Sequence, residues 1–491
     1  MTVHRLPLGL AALSLLLLPG VVPGAVDVLP HTGVAPSSPA RTGPPPGGPA
    51  TPGQALRGEA LATALGCGGC HAGLPASDLS DRAPAFGPGS APVGAEFVFT
   101  YLEDPVPRRP ELAPARMPDF GLDEDERLAL ALFLAGDAEG PGVAAARDRH
   151  PEVEAEDGRL LFEGLGCRGC HTHPGIVRET MPGTGPDLSG AGRRYRSEWV
   201  EAFLAEPTTV RPAGHRPGTG SRMPDFRLDA EEVGSLSDYL GTLRGGPDTE
   251  ALSRARGGGG PPPEAPSPWA LHRAERLLTE RLSCLGCHGW RDRGGRIAPA
   301  LDGLSARLTP AAIAATVHAP TDARPGTVMP PSPFRPGIRD EVVALLVSDT
   351  AAWVPPERVT VSWPERRGIL RGWSTAQGDP YGGGSPAVAG GRLYARRCAA
   401  CHGVGGDGEG FNRPWLPVAP ALHADPVAMS LRPDDTLYDG IASGGWVLDG
   451  SPRMPAFGEA LSPEAIQGLV AHIRELCDCE GPSWSRTGGE R

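Results

Sequence analysis

The sequence contains no lysine: all 46 of its basic side chains are arginine. This fits the codon bias of a GC-rich genome, so arginine clusters carry less functional weight here. Acidic residues number 58, leaving a formal net charge of −12. Such a balance argues against nucleic acid as the main partner, because neutralising phosphates needs an excess of cations. Aromatic residues supply only 5% of the chain, so large rings cannot fill its cores. Long apolar runs are missing as well. Past the N-terminus the best stretch, Leu128 to Ala135, falls far short of the ~20 residues that span a bilayer.

Glycine and proline are abundant instead, at 69 and 57 of 491 residues, a level at which low complexity must be considered. Hydrophobic residues still reach 40%, which supports packed cores, and the length suits about three domains. The Gly/Pro excess is densest at 30–53, 245–268 and 378–391, which read as joints. At the N-terminus, His4 and Arg5 precede an apolar run from Leu8 to Leu18, then Pro19, Gly20 and small residues to Ala25. That is a secretory signal peptide layout. Residues 1–25 are expected to direct export to the periplasm or another extracytoplasmic space, with no membrane span after cleavage. Residues 26–54 are expected to form a disordered leader.

Ten cysteines in an exported chain would ordinarily suggest disulfides. Eight of them fall instead in four identical frames: Cys67–Cys70–His71, Cys167–Cys170–His171, Cys284–Cys287–His288 and Cys398–Cys401–His402, each C-x-x-C-H. This is the attachment signature of c-type haem. Two thiols add to the two vinyl groups on one porphyrin edge, and the next residue places an imidazole at the iron. Thioredoxin-like exchange expects one such pair in a βαβ setting, and structural zinc expects paired C-x-x-C units within one fold. Neither matches four copies spaced a hundred or more residues apart. A methionine followed by proline comes after each motif in turn: Met117, Met223, Met329 and Met454. A thioether is a soft iron ligand, and a His/Met set raises the haem potential.

These features make the chain resemble the class I cytochromes c, in which a C-x-x-C-H helix and a distal Met-Pro loop clamp one haem per domain. The resemblance implies a proline whose carbonyl accepts a hydrogen bond from the proximal histidine. Pro84, Pro186, Pro299 and Pro420 stand in matching positions. It also implies a helix crossing of Gly-x-x-x-aromatic type, matched by Gly158 to Phe162 and Gly390 to Tyr394, from which copies one and three depart. Closing helices are signalled by Asp123 with Glu126, Asp229 with Glu232, and Ser462 with Pro463. Copies one and two share Met-Pro-Asp-Phe-x-Leu-Asp-x-x-Glu in one register; copy four looks like a different subfamily.

The expected architecture is all-α: four tandem, loop-rich cytochrome c domains at 55–138, 152–245, 268–352 and 388–480, each around one covalent haem c. Residues 246–267 read as a flexible linker, and 353–387, with Trp353, Trp363 and Trp373, as an irregular strap or linker. A porphyrin in each domain would supply the apolar bulk that the few aromatics cannot. With histidine and methionine on every iron no coordination position stays open, which favours electron relay between redox protein partners over catalysis. Two alternatives stay open: an electron-transfer subunit of a dehydrogenase or oxidase complex, which would bring membrane-complex association, and a haem peroxidase with a displaceable ligand in copy three. The third repeat is slightly basic through Arg291, Arg293 and Arg296, suited to an acidic neighbour or to plain solvation. Met181, Met429, His173, His215, His318 and His423 are expected to be non-ligands. Cys477 and Cys479 lie outside every motif. Bridging i to i+2 is strained, which leaves a partner disulfide, a soft-metal site or free thiols.

Overall fold

The computed structural model describes residues 52–75, 83–86, 93–106, 116–136, 140–173, 184–247, 266–373, 386–448 and 450–485. The expected signal segment, nearly all of the leader, most of the linker and Met181 lie outside these residues. The longer helices, in chain order, are α1 (Pro52–Ala64), α2 (Ala95–Tyr101), α3 (Glu124–Ala135), α4 (Pro141–Arg149), α5 (Ala155–Gly164), α6 (Ser197–Ala205), α7 (Ala230–Thr242), α8 (Pro268–Glu280), α9 (Pro310–His318), α10 (Pro336–Ser348), α11 (Trp363–Trp373), α12 (Pro386–Arg397), α13 (Asp434–Ser443) and α14 (Pro463–Cys477). Among the described residues, sheet is confined to a two-residue hairpin, Gly289–Trp290 with Arg293–Gly294. The chain is helix-rich, as expected of an all-α protein.

The closing helices begin where capping chemistry says they should. The Asp229 carboxylate accepts from the amides of Glu231 and Glu232, and Glu232 reaches back to the Asp229 amide. Asp123 and Glu126 form the same reciprocal box at α3, and Ser462 Oγ accepts from Ala465 N at α14. Each box satisfies amide groups that the first helical turn leaves without partners.

The first two repeats do not close on themselves. Helix α1, before the first motif, packs against α7, the closing helix of the second repeat; α5, before the second motif, packs against α3, the closing helix of the first. Both crossings are glycine-dependent: a Cβ on Gly58 would lie 1.9 Å from the Ser235 carbonyl oxygen, and one on Gly158 1.9 Å from that of Ala129. Gly58 thus makes the close approach even where the aromatic of the pattern is replaced by Ala62. The result is one unit enclosed within another. Residues 83–173 form a contiguous unit running from proline loop to closing helix to α5 and the second motif, while the enclosing unit is split into 52–75 and 184–247. A pseudo-twofold relation shows at the methionine loops, where Asp119 and Asp225 exchange backbone hydrogen bonds of 2.8 and 2.7 Å.

The second half is built in sequence order. Helix α8 packs on α10, and α12 on α14, the latter again through a glycine contact of Gly390 with Gly468. The expected irregular strap carries an eleven-residue helix, α11, with Pro364 in its first turn, where a missing N–H is tolerated. Trp363 Nε1 donates to Asp125 (2.8 Å), Arg366 to the fully buried Glu126 (2.8 Å), and Arg367 to the fully buried Asp157 (2.6 Å). Charged side chains at zero exposure persist because guanidinium forks satisfy them. The Gly372 carbonyl accepts from Arg396 Nε (2.6 Å), so α11 joins the interleaved front to the fourth repeat.

Candidate functional site

Each C-x-x-C-H motif winds into a tight helical turn whose last residue brings histidine back toward the body of a unit. In the first three motifs the turn is 3-10, as at Cys67–Gly69 and Cys167–Gly169. The eight motif cysteines are free thiols. Burial pushes Cys67 and Cys167 up to about 12 and Cys284 to about 11, so they stand as neutral thiols.

All four histidines turn Nδ1–H toward a backbone carbonyl, but not always the expected one. His288 donates to Pro299 O (2.7 Å). His71 donates to Pro186 O (2.9 Å) and His171 to Pro84 O (3.0 Å), so the prolines of the first two repeats are exchanged, as the helices are. His402 donates to Ala421 O (3.1 Å), one residue beyond the expected Pro420, because in this loop the next carbonyl is the one within reach of the ring. A carbonyl can only accept, which assigns the proton to Nδ1 and leaves the Nε2 lone pair free. Burial lowers the pKa of all four, that of His288 to about 4, and so favours the neutral, metal-binding imidazole.

The methionines follow the exchange. Met223 lines one apolar cleft with His71, Cys67, Ala62, Leu65 and Leu236. Met117 and Cys167 pack on the other core of the front half, with Phe86 and Phe162, and the Phe86 ring lies 5.3 Å from that of His171. Met454 packs on the fourth core beside Cys398 and Cys401. Met329 N is held by Thr327 Oγ1 (3.2 Å).

The motifs meet in pairs. A Cβ on Gly69 would lie 3.0 Å from Gly169 Cα, so the first two motifs touch backbone to backbone. Third and fourth meet through Asn412, which has no exposed surface. Its Nδ2 donates to Gly286 O (2.9 Å) and Cys401 Sγ (3.4 Å), and its Oδ1 accepts from Arg296 N (2.6 Å). Between the pairs, Tyr195 and Leu308 form an antiparallel bridge amid Arg194, Arg211, Arg307 and Arg324. None of these four arginines has a carboxylate partner among the described residues, and Arg307 Nε has no hydrogen-bond partner. Burial would raise the Tyr195 phenol, but Arg324, Arg194 and Arg307 outweigh it and hold it at about 8.

Two segments match known families: residues 155–244 match Cytochrome c, and residues 385–473 match Cytochrome C oxidase, cbb3-type, subunit III. The chain belongs to the c-type cytochrome family. It is an electron-transfer haem protein, and the matched domains imply covalent haem c. In this cytochrome the Cytochrome c match runs from α5 to α7, across both interleaved units. No curated protein and no solved structure matches the chain.

The remaining expectations divide. Met429 is buried in the fourth core. His318 pairs with Asp340 (2.9 Å), His215 contacts Arg211, His173 stacks on Phe133, and His423 stacks on His402 while hydrogen-bonded to Tyr394 (2.9 Å). Arg291 pairs with Glu275 of its own repeat, while Arg296 lies over Trp415 of the fourth. Cys477 and Cys479 are joined in a disulfide, correcting the expectation against an i to i+2 bridge. Asp478 between them adopts left-handed backbone (φ 45°, ψ 46°), which brings the two Cα atoms to 5.1 Å. Sequence reasoning missed Asn412 and the Tyr195 arginine cluster; neither belongs to a motif.

Proposed function

We propose that this cytochrome is an exported tetrahaem carrier that relays single electrons between redox partner proteins. The observation that carries the reading is the pairing of motifs, first with second through Gly69 and Gly169, third with fourth through Asn412. A covalently bound haem supplies a ferric/ferrous couple that takes up or gives one electron at a time. The residues present fit that group. Eight free thiols stand in four C-x-x-C pairs, four imidazoles keep Nε2 available, and apolar side chains line the cleft at His71. The arginines around Tyr195, which have no carboxylate partner among the described residues, would suit haem propionates. Keeping water out is the work of the clefts; fixing ring orientation is the work of the Pro186, Pro84, Pro299 and Ala421 carbonyls.

A pyridine haemochrome spectrum together with intact mass tests the reading. Four covalent haems per chain are expected, and a haem-free exported chain overturns it. The match at 385–473 to an oxidase subunit family favours a second reading, in which the chain is the haem-bearing subunit of a membrane redox complex. Among the described residues no helix is long and apolar enough to cross a membrane, so that association would be through a partner. Purification from native membranes under mild detergent separates the two: a stoichiometric redox partner supports the complex, and a free chain supports the carrier.

A further inference from the structure

We propose that the first two haem irons take their sixth ligands crosswise, the iron at His71 from Met223 and the iron at His171 from Met117. The inference rests on the reading that both motifs carry covalent haem. Sequence order alone pairs each motif with the next Met-Pro, which gives His71 with Met117 and His171 with Met223. The proline, helix and core contacts of the front half oppose that order. His71 orients on Pro186 and His171 on Pro84. Gly58 fits against Ser235 and Tyr239 of α7, and Gly158 against Ala129 and Phe133 of α3. An axial ligand must stand on the face of the ring opposite its histidine. His71 and Met223 line one cleft, and Met117 packs in the core of Cys167 and Phe86, whose ring lies 5.3 Å from that of His171.

Two consequences set this arrangement apart from a pair of beads on a string. Neither repeat, read in sequence order, contains a complete iron site. Residues 83–173 hold one whole site in permuted order, methionine before C-x-x-C-H, and the other site is assembled around it.

The full-length holoprotein tests the assignment. Cys67→Ala/Cys70→Ala removes the first attachment, and intact mass should read one haem fewer. In that background Met223→Ala should leave the remaining low-spin spectrum unchanged, while Met117→Ala should turn one haem high-spin. The opposite pattern overturns the crossing and leaves the haem reading standing; a wild-type chain without covalent haem overturns the haem reading itself. A second measurement does not rely on ligand variants. Arg57 and Glu231, exposed on α1 and α7, approach to 3.8 Å, whereas sequence order would bring Arg57 to Asp125, the equivalent position of α3. A short bis-maleimide should link Arg57→Cys to Glu231→Cys within one chain and fail with Arg57→Cys/Asp125→Cys. Linkage of the second pair in place of the first overturns the proposal.

Discussion

The front half of the molecule is interleaved and the back half is sequential, although both are made from two copies of the same motif. The difference teaches what decides closure in tandem repeats. Copies one and two carry closing segments in the same register, so either closing helix suits either motif, and exchange of equivalent elements costs little. What then decides is connection. Helix α3 ends at Ala135 and α5 begins at Ala155, with only the short α4 between them, and elements near along the chain tend to pack as neighbours. Copies three and four have unlike closing segments, so exchange would leave poorly matched cores. Their contact is made by side chains, Asn412, Arg453 and Trp446 among them, whereas the front motifs touch through bare glycine backbone.

The largest way to break the contrast is at Glu126, which ties α3 to Arg222 of the enclosing unit and Arg366 of α11. Glu126→Ala leaves three guanidiniums, of Arg222, Arg366 and Arg358, without their shared carboxylate, a loss of about 3–5 kcal/mol for a buried pair. Limited proteolysis should cut within 52–247 first while 268–480 survives. A wedge at the crossings comes next. Gly158→Val and Gly390→Val each drive a side chain into a carbonyl 1.9 Å from the ideal Cβ, at a cost of about 1–3 kcal/mol or more by overpacking. The first should disturb both front haem spectra and the second only the fourth. Asn412→Ala, which strips partners from Gly286 and Arg296, should cost about 1–3 kcal/mol in thermal unfolding and leave the front pair untouched.

The smallest effect is a difference in pH response between two carboxylates, Glu126 on α3 and Glu365 on α11. Burial pushes Glu126 up, but Arg222, Arg366 and Arg358 together hold it below the usual carboxylate range. Its stabilising contribution is therefore full at neutral pH and lost as pH falls below the unfolded value toward the depressed folded one. Glu365 behaves oppositely. Burial pushes it up from 4.5 to about 7, with Asp407 adding to the rise and the Phe411 amide opposing it. The folded chain then holds a proton that the unfolded chain releases, so stability falls as pH rises from 4.5 through about 7. Glu365→Gln should be neutral at acid pH and raise the melting temperature above pH 7, by a few degrees at most; an unchanged difference across that range removes Glu365 as the cause.

Local chemistry was legible in the sequence, and pairing was not. The four C-x-x-C-H motifs, the Met-Pro pairs and the capping boxes at Asp123, Asp229 and Ser462 each depend on a few adjacent residues, so spacing alone reveals them. Pro84 and Pro186 read alike from either motif, and only the fold distinguishes their partners. The one-residue shift from Pro420 to Ala421 is a matter of backbone presentation. Asn412 and the four arginines at Tyr195 gather from distant segments, and in a chain whose every basic residue is arginine no pattern marks those four. Helix α11 was hidden because the groups it packs on and pairs with, Glu126 and Asp157 among them, lie on distant segments.

Enclosure of one unit by another also fixes an order of assembly. During synthesis residues 83–173 can close as soon as the second motif emerges, since proline loop, closing helix and α5 all precede it. The first motif emerges a hundred residues earlier, yet its closing helix starts only at Ala230, a wait of roughly ten to thirty seconds at about 5–20 residues per second. Through that interval Cys67 and Cys70 have no closing helix to pack against. The motif written first is the one finished second.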